Sequence, residues 1–338
     1  MIIVLKPKIT PAQEREVLAE IRKLGYTPHV MRGVAQVVIG AIGDERTHAS
    51  LETLTTWPQV EKVIPVQKRY KLVSREAHPQ NSTVKIGKNV VLGGKKFHVM
   101  AGPCSVESEK QLLTTAEAVK KAGATILRGG AFKPRTSPYE FQGLGLKGLK
   151  LLAKARRETG LPVITELLSE AQAELVAEYA DILQIGTRNA QNFQLLIAAA
   201  KTGKPVLLKR GLAMKIEEWL LAGEYILANE NPNLMFCERG IRTFETYTRN
   251  TLDLSTIPII KKESHSPIVI DPSQGAGRAD LITAMCKGAV AMGADALLVE
   301  VHPNPAEAWS DGAQQMTLDG FARLMKDLKP FIAAAGRE

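Results

Sequence analysis

The chain has 338 residues, 45% hydrophobic and 23% charged, with a formal net charge of +9. That is ordinary material for a globular protein with room for two domains. Three widely spaced cysteines exclude a disulfide framework, and no run approaches the roughly 18 consecutive apolar residues of a membrane span. The positive balance would suit nucleic acid, yet aromatics are only 5% and the cations cluster at strand ends beside glycines. That placement favours small anions over a polymer, so neither a nucleic-acid nor a membrane partner is expected. The opening Met-Ile-Ile-Val-Leu-Lys lacks the basic start and cleavage site of a signal peptide, so a cytoplasmic location is expected.

Residues 1–66 read as a separate small unit. An apolar strand at 2–5 precedes Pro11 and a helix to about Gly25, with Val17, Leu18, Ile21 and Leu24 on one face. Strands follow at 27–31 and 35–42, a second helix at 45–56 and a last strand at 60–66. This βαββαβ order predicts a ferredoxin-like domain, serving oligomerisation, regulation or both. Residues 67–96 are basic and turn-rich; 84–86 and 90–92 predict a hairpin that would cover the floor of the next domain.

From 97 to 338 short apolar strands alternate with amphipathic helices. Strands are expected at 98–102, 124–128, 162–166, 182–186, 205–209, 234–238, 267–271 and 296–301. Helices are expected at 107–121, 170–179, 190–201, 216–228, 280–292 and 318–334, among others. The sixth unit is the weak one, because 242–253 is polar and only partly helical in pattern. Eight βα units without a Gly-x-Gly-x-x-Gly turn predict a (β/α)8 TIM barrel rather than a doubly wound sheet.

Active sites of such barrels form at the C-terminal ends of the strands. Here those ends carry Cys104, Arg128 and Lys133, Glu166, Arg188, Lys209 and Arg210, Glu238 and Arg239, Asp271 and Gln274, then Glu300 and His302. Arg128, Lys133, Arg188, Lys209 and Arg239 would ring a small anion carrying a phosphate and a carboxylate. Some of these cations could instead pair with Glu166, Glu238 or Asp271. Cys104, Glu300 and Asp311, with His302 nearby, mix soft and hard donors that suit a divalent transition metal such as manganese, iron, cobalt or zinc. A buried, inert Cys104 is the bland alternative.

Five segments then carry a resemblance. Ala101-Gly-Pro-Cys-Ser-Val-Glu107, Leu127-Arg-Gly-Gly-Ala-Phe-Lys-Pro-Arg-Thr-Ser-Pro138, Gln184-Ile-Gly-Thr-Arg-Asn-Ala-Gln-Asn192, Leu208-Lys-Arg-Gly211 and Cys237-Glu-Arg-Gly-Ile-Arg-Thr243 follow one another in order. Together they resemble 3-deoxy-D-arabino-heptulosonate 7-phosphate (DAHP) synthases of the microbial subgroup whose ferredoxin-like regulatory domain precedes the barrel. The resemblance implies condensation of phosphoenolpyruvate with erythrose 4-phosphate, the first step of the shikimate pathway. It implies that Arg128, Lys133, Arg188, Lys209 and Arg239 hold phosphoenolpyruvate and that Arg135 and Thr136 hold the aldose phosphate. Lys133 would shuttle a proton, and Cys104, Glu300 and Asp311 would ligate the metal. It further implies feedback by tyrosine or phenylalanine at the N-terminal domain and a homo-oligomer, with a tetramer favoured.

One position departs from the pattern. The family carries an Asp-Pro-Ser-His motif where this chain has Asp271-Pro-Ser-Gln274. Gln274 offers a neutral carbonyl oxygen as the fourth ligand, a weaker donor than imidazole toward late transition metals. Weakened metal binding is the leading expectation. The alternatives are an enzyme that runs without metal, an octulosonate-type synthase using a different aldose phosphate, or a catalytically impaired homologue.

Overall fold

Strand β1 (Ile2–Leu5) sits inside a four-stranded antiparallel sheet, flanked by β3 (Val37–Ile42) and β4 (Val60–Ile64), with β2 (Thr27–Arg32) outside β3. Helix α1 (Pro11–Lys23) starts where Thr10 and Gln13 close a reciprocal cap with Pro11 at the first helical position. Its buried Val17 and Ile21 pack with Ile3, Leu5, Ile39, Leu51 and Leu54 in one cluster. This is the ferredoxin-like arrangement, in a computed structural model that describes residues 1–33, 36–43, 49–64, 68–87 and 89–338. The expected strands at 35–42 and 60–66 and helix at 45–56 fall partly outside the described residues. Within them, the helix is a 3-10 turn at Leu51–Thr56, capped by Ser50 and rich in β-branched threonines that disfavour an α-helix.

By packing, the chain divides into Met1–Arg69 and Tyr70–Glu338. In the second unit, β5 (Val84–Ile86) and β6 (Val90–Leu92) form the expected hairpin, whose turn residue Lys88 lies outside the described residues. Val84, Ile86, Val90 and Leu92 join the inner barrel cluster with Met100, Ile126, Ile164 and Leu207. Each such buried aliphatic contributes about 1.5–3 kcal/mol. His98 Nε2 donates to the Val91 carbonyl at 3.1 Å, which ties the hairpin to the start of the first barrel strand. The hairpin thereby plugs the N-terminal end of the barrel and leaves the opposite mouth for ligands.

The barrel strands are β7 (His98–Gly102), β8 (Ile126–Arg128), β9 (Val163–Leu167), β10 (Ile182–Ile185), β11 (Val206–Lys209), β12 (Leu234–Glu238), β13 (Ile268–Ile270) and β14 (Ala296–Glu300). All pair in parallel, and β14 pairs back to β7, closing the barrel. Helices α2 (Glu109–Ala122), α3 (Leu146–Thr159), α4 (Ala173–Tyr179), α5 (Phe193–Lys201) and α6 (Ile216–Leu227) follow the first five strands. Then come α7 (Thr256–Glu263), the short α8 (Pro272–Ala276), α9 (Ala279–Ala291) and α10 (Leu318–Ala334). Their apolar faces bury an outer cluster against the strands. The sixth unit has the expected strand, but the partly helical pattern of 242–253 does not become a helix. Residues 242–253 are irregular, and the helix begins only at Thr256, where Ile257 and Ile260 supply a buried face that the polar segment lacks.

Candidate active site

Strands β8 to β14, or the segments that follow them, line one cleft at the mouth opposite the hairpin, and Cys104 follows β7. The segment after β8 is shaped by close approach: a Cβ on Gly130 would stand 2.8 Å from the Cys104 carbonyl and 3.0 Å from Lys133 Cδ. Without that Cβ, buried Lys133 reaches Cys104, its Nζ donating to the carbonyl at 3.1 Å and to Sγ at 3.0 Å. Burial works against the Lys133 charge, but Cys104 and Glu300 outweigh it and hold the amine above its usual range. Burial pushes the Cys104 thiol up to about 11, with Glu300 adding to the effect.

Arg128, the last residue of β8, donates from Nη1 to the Pro103 carbonyl at 2.6 Å and pairs with Glu300 Oε1 at 3.2 Å. Glu300 ends β14 and is buried, its Oε2 accepting from Gln314 Nε2 at 2.6 Å. Asp311 lies in the segment after β14 in the left-handed region (φ 50, ψ 35), which Asp tolerates better than most residues. Burial opposes its charge, but Arg249 and Lys133 pull the Asp311 carboxyl down to about 2. Cys104 Sγ donates to Asp311 Oδ2 at 3.4 Å. Ligand atoms of Cys104, Glu300 and Asp311 thus lie within 4.8 Å of one another, a thiol and two carboxylates fit to hold a divalent ion. His302 is buried but turned away from them, its Nε2 donating to Glu107 at 3.2 Å.

The Asp271-Pro-Ser-Gln274 turn is built by local chemistry. Asp271 caps α8, accepting from the Gln274 amide at 2.9 Å, and Pro272 takes the first helical position. The other Asp271 oxygen accepts from Lys209 Nζ at 2.5 Å, while Ser273 Oγ accepts from the Glu300 backbone at 2.9 Å. Gln274 does not turn its carbonyl oxygen to the cluster. That oxygen accepts from Arg239 Nη2 at 2.8 Å, and Nε2 donates to Glu300 Oε1 at 3.0 Å and Asp311 Oδ2 at 3.3 Å.

Three expected residues, Arg135, Thr136 and Arg188, stand at the rim. Arg188 is exposed and donates to Thr136 Oγ1 at 3.3 Å, and Arg135 pairs with Glu140 at 2.7 Å. Rim and floor together line one cleft of about 260 Å³, with Arg128, Lys133, Arg135, Thr136, Arg188, Lys209, Arg239, Gln274 and Asp311 around it. Among the described residues, seven cations face it against the three carboxylates Glu140, Glu166 and Asp311. The seventh, Arg249, had no sequence signal, because it sits in the aperiodic segment before α7; it pairs with Asp311 at 3.3 Å. Arg210, adjacent to Lys209, points the other way and is absorbed by Glu238 and Asp253 at 3.0 Å each.

Cations crowded into a cleft repel one another, and a multiply charged anion relieves that repulsion. Fold and site therefore define a (β/α)8 barrel enzyme acting on small anions beside a metal-capable centre. Residues 73–334 match the family model described as DAHP synthetase I family, and residues 1–68 match the DAHP synthase ferredoxin-like domain. The phospho-2-dehydro-3-deoxyheptonate aldolase of Thermotoga maritima is 48% identical over 336 residues, 99% of each chain. A crystal structure of that aldolase, also called DAHP synthase, covers 100% of this chain and 98% of its own with a TM-score of 0.95. A 2-dehydro-3-deoxyphosphooctonate aldolase of Fusobacterium nucleatum is 34% identical over 264 residues, covering 72% of this chain and 93% of its own. The chain belongs to the DAHP synthase family.

Proposed function

We propose that this chain condenses phosphoenolpyruvate with erythrose 4-phosphate and water to give 3-deoxy-D-arabino-heptulosonate 7-phosphate and inorganic phosphate. The observation that carries this reading is the cleft itself, in which seven cations adjoin the Cys104, Glu300 and Asp311 cluster. The full-length likeness to the Thermotoga enzyme supports the choice of reaction.

In this reading Arg128, Lys133, Lys209, Arg239 and rim Arg188 hold the phosphate and carboxylate of phosphoenolpyruvate. Arg135 and Thr136 hold the phosphate of the aldose at the open end. The two substrates are thereby aligned so that C3 of phosphoenolpyruvate attacks the aldehyde carbon, forming the new C–C bond. Water then adds at C2, and phosphate leaves by cleavage of the C2–O bond. The Lys133 ammonium donates a proton from Nζ to the aldehyde oxygen as negative charge develops there. A divalent ion (manganese, iron, cobalt or zinc) on Cys104, Glu300 and Asp311 supplies polarisation of that oxygen when bound. Cys104 would then bind as a thiolate, its proton being released to solvent, and the Lys133 ammonium that donates to Sγ at 3.0 Å would stabilise that charge.

The acceptor is tested by phosphate release with erythrose 4-phosphate against arabinose 5-phosphate, before and after chelation and with manganese restored. Turnover with erythrose 4-phosphate is expected to exceed that with the pentose by at least about 100-fold and to fall on chelation. Equal or greater turnover with arabinose 5-phosphate would overturn the reading in favour of an octulosonate-type synthase.

The N-terminal unit is assigned to feedback regulation by tyrosine or phenylalanine, on the strength of its match to the family's ferredoxin-like domain. Removing residues 1–69 is expected to abolish inhibition by either amino acid while turnover persists. Inhibition that survives the truncation would sink this role.

A further inference from the structure

Gln274 occupies a place that its chemistry alone does not explain. Its backbone is pinned at both polar groups: the amide donates to Asp271 at 2.9 Å, and the carbonyl accepts from Asn250 Nδ2 at 2.8 Å. Only the side chain is left to turn. Its neighbours dictate which end points where, because the reversed amide would set an oxygen against Glu300 and Asp311 and an NH2 against a guanidinium. Each reversed contact pairs acceptor with acceptor or donor with donor. The observed orientation therefore follows from the surrounding charges.

In that orientation Nε2 hydrogen bonds to one oxygen of each carboxylate, at 3.0 and 3.3 Å. These are the same oxygens that receive Arg128 and the Cys104 thiol. An amide nitrogen carries no lone pair available for a metal ion, so it acts here as a partial positive charge holding two carboxylates together. Arg239, at the other end, is buried and lines the cleft, and burial lowers its pKa. Among the described residues it forms no ion pair; it donates to Gln274 Oε1 at 2.8 Å and to the Gly240 carbonyl at 3.5 Å. A buried guanidinium held by neutral oxygens is open to exchange for an anion.

We propose that Gln274 is a positioning residue that couples the anion site to the metal-capable cluster. With Arg239 on its oxygen, Gln274 keeps its NH2 on Glu300 and Asp311 and competes with a divalent ion for them. When an anion draws Arg239 off, the amide is released to rotate, the competing donor leaves and its oxygen becomes available to the ion. Linkage makes the effect reciprocal: the ion tightens the anion by the same factor. The inference rests on the reading that Arg239 holds phosphoenolpyruvate.

The test is manganese binding to the full-length, chelator-stripped protein by calorimetry, with and without phosphoenolpyruvate. Wild type is expected to bind manganese at least about tenfold more tightly when phosphoenolpyruvate is present, within the range of ordinary coupling. Gln274→Met, similar in volume but without the amide, is expected to bind manganese alone more tightly than wild type does. Its coupling factor is expected to be at least about fivefold smaller. Gln274→Glu, which keeps an oxygen for Arg239 and adds a third carboxylate, is expected to bind manganese tightly without phosphoenolpyruvate; it decides the matter if Gln274→Met does not fold.

A coupling factor unchanged in Gln274→Met, or manganese binding by Gln274→Glu no tighter than wild type, would overturn the proposal. If phosphoenolpyruvate gives no heat with any of the proteins, the functional reading fails, and the manganese-only comparisons still decide the role of Gln274.

Discussion

Lys133→Met is expected to lower kcat by roughly 10²- to 10⁴-fold, the range of a positioned acid or base, while leaving a folded barrel. The reasoning starts from its surroundings. Nζ donates to the carbonyl and the sulfur of Cys104, and the residue is only 8% exposed, so water does not substitute for the missing ammonium. Methionine matches the aliphatic stem and removes a charge that burial disfavours, so the packing cost is small. Phosphoenolpyruvate binding, read by calorimetry, is expected to weaken far less than turnover, because Arg128, Lys209 and Arg239 still line the floor. Turnover within threefold of wild type would remove Lys133 from the chemistry. A melting temperature lowered as far as in the next variant would mark its role as structural.

Arg210→Met is expected to do the opposite, destabilising the fold by about 3–5 kcal/mol, the cost of leaving a buried ion pair half-made. Arg210 donates to Glu238 at 3.0 Å, Asp253 at 3.0 Å, Thr256 at 3.1 Å and the Met214 carbonyl at 2.9 Å. Glu238 is fully buried, and burial already holds its carboxyl above the usual range, with Arg210 pulling it back down. Removing Arg210 raises it further, which fixes the sign of the pH dependence. A carboxyl with a raised folded pKa costs stability only where it must ionise. The deficit of the variant is therefore full above that raised value and shrinks as pH falls through it toward the ordinary carboxylate range. Melting curves of the two proteins from pH 8 to pH 5 are expected to converge as the pH is lowered. A constant gap would show that the loss is one of packing rather than of an uncompensated charge.

Lys133 shows where the sequence was sufficient. Lys133 lies in a segment whose glycines, prolines and alternating cations announce an anion-binding turn at the end of a strand. Barrel topology alone then brings it opposite Cys104, which lies 29 positions away. The eight strands were legible because each is a short apolar run between amphipathic helices, and parallel closure buries both faces of every strand. The sixth unit was read poorly for the converse reason. Residues 242–253 have no periodic face, their backbone is organised by a bridge between Ile241 and Thr251, and Arg249 enters the cleft from that irregular stretch.

The sequence by itself determined the two-domain order, the barrel, the strand ends that carry the chemistry and the thiol and carboxylates able to meet a metal. Those follow from periodicity and from which residue types stand at strand ends, and both are local properties. Only the tertiary structure decided how the polar groups divide their partners. Lys209 and Arg210 are neighbours in the chain, yet one turns to Asp271 at the cleft and the other is spent on Glu238 and Asp253. The amide of Gln274 is oriented by Arg239, Glu300 and Asp311, residues 35, 26 and 37 positions distant. Hydrogen-bond direction at such a residue is set by the summed field of charges from several strands, and that field exists only once the barrel has closed.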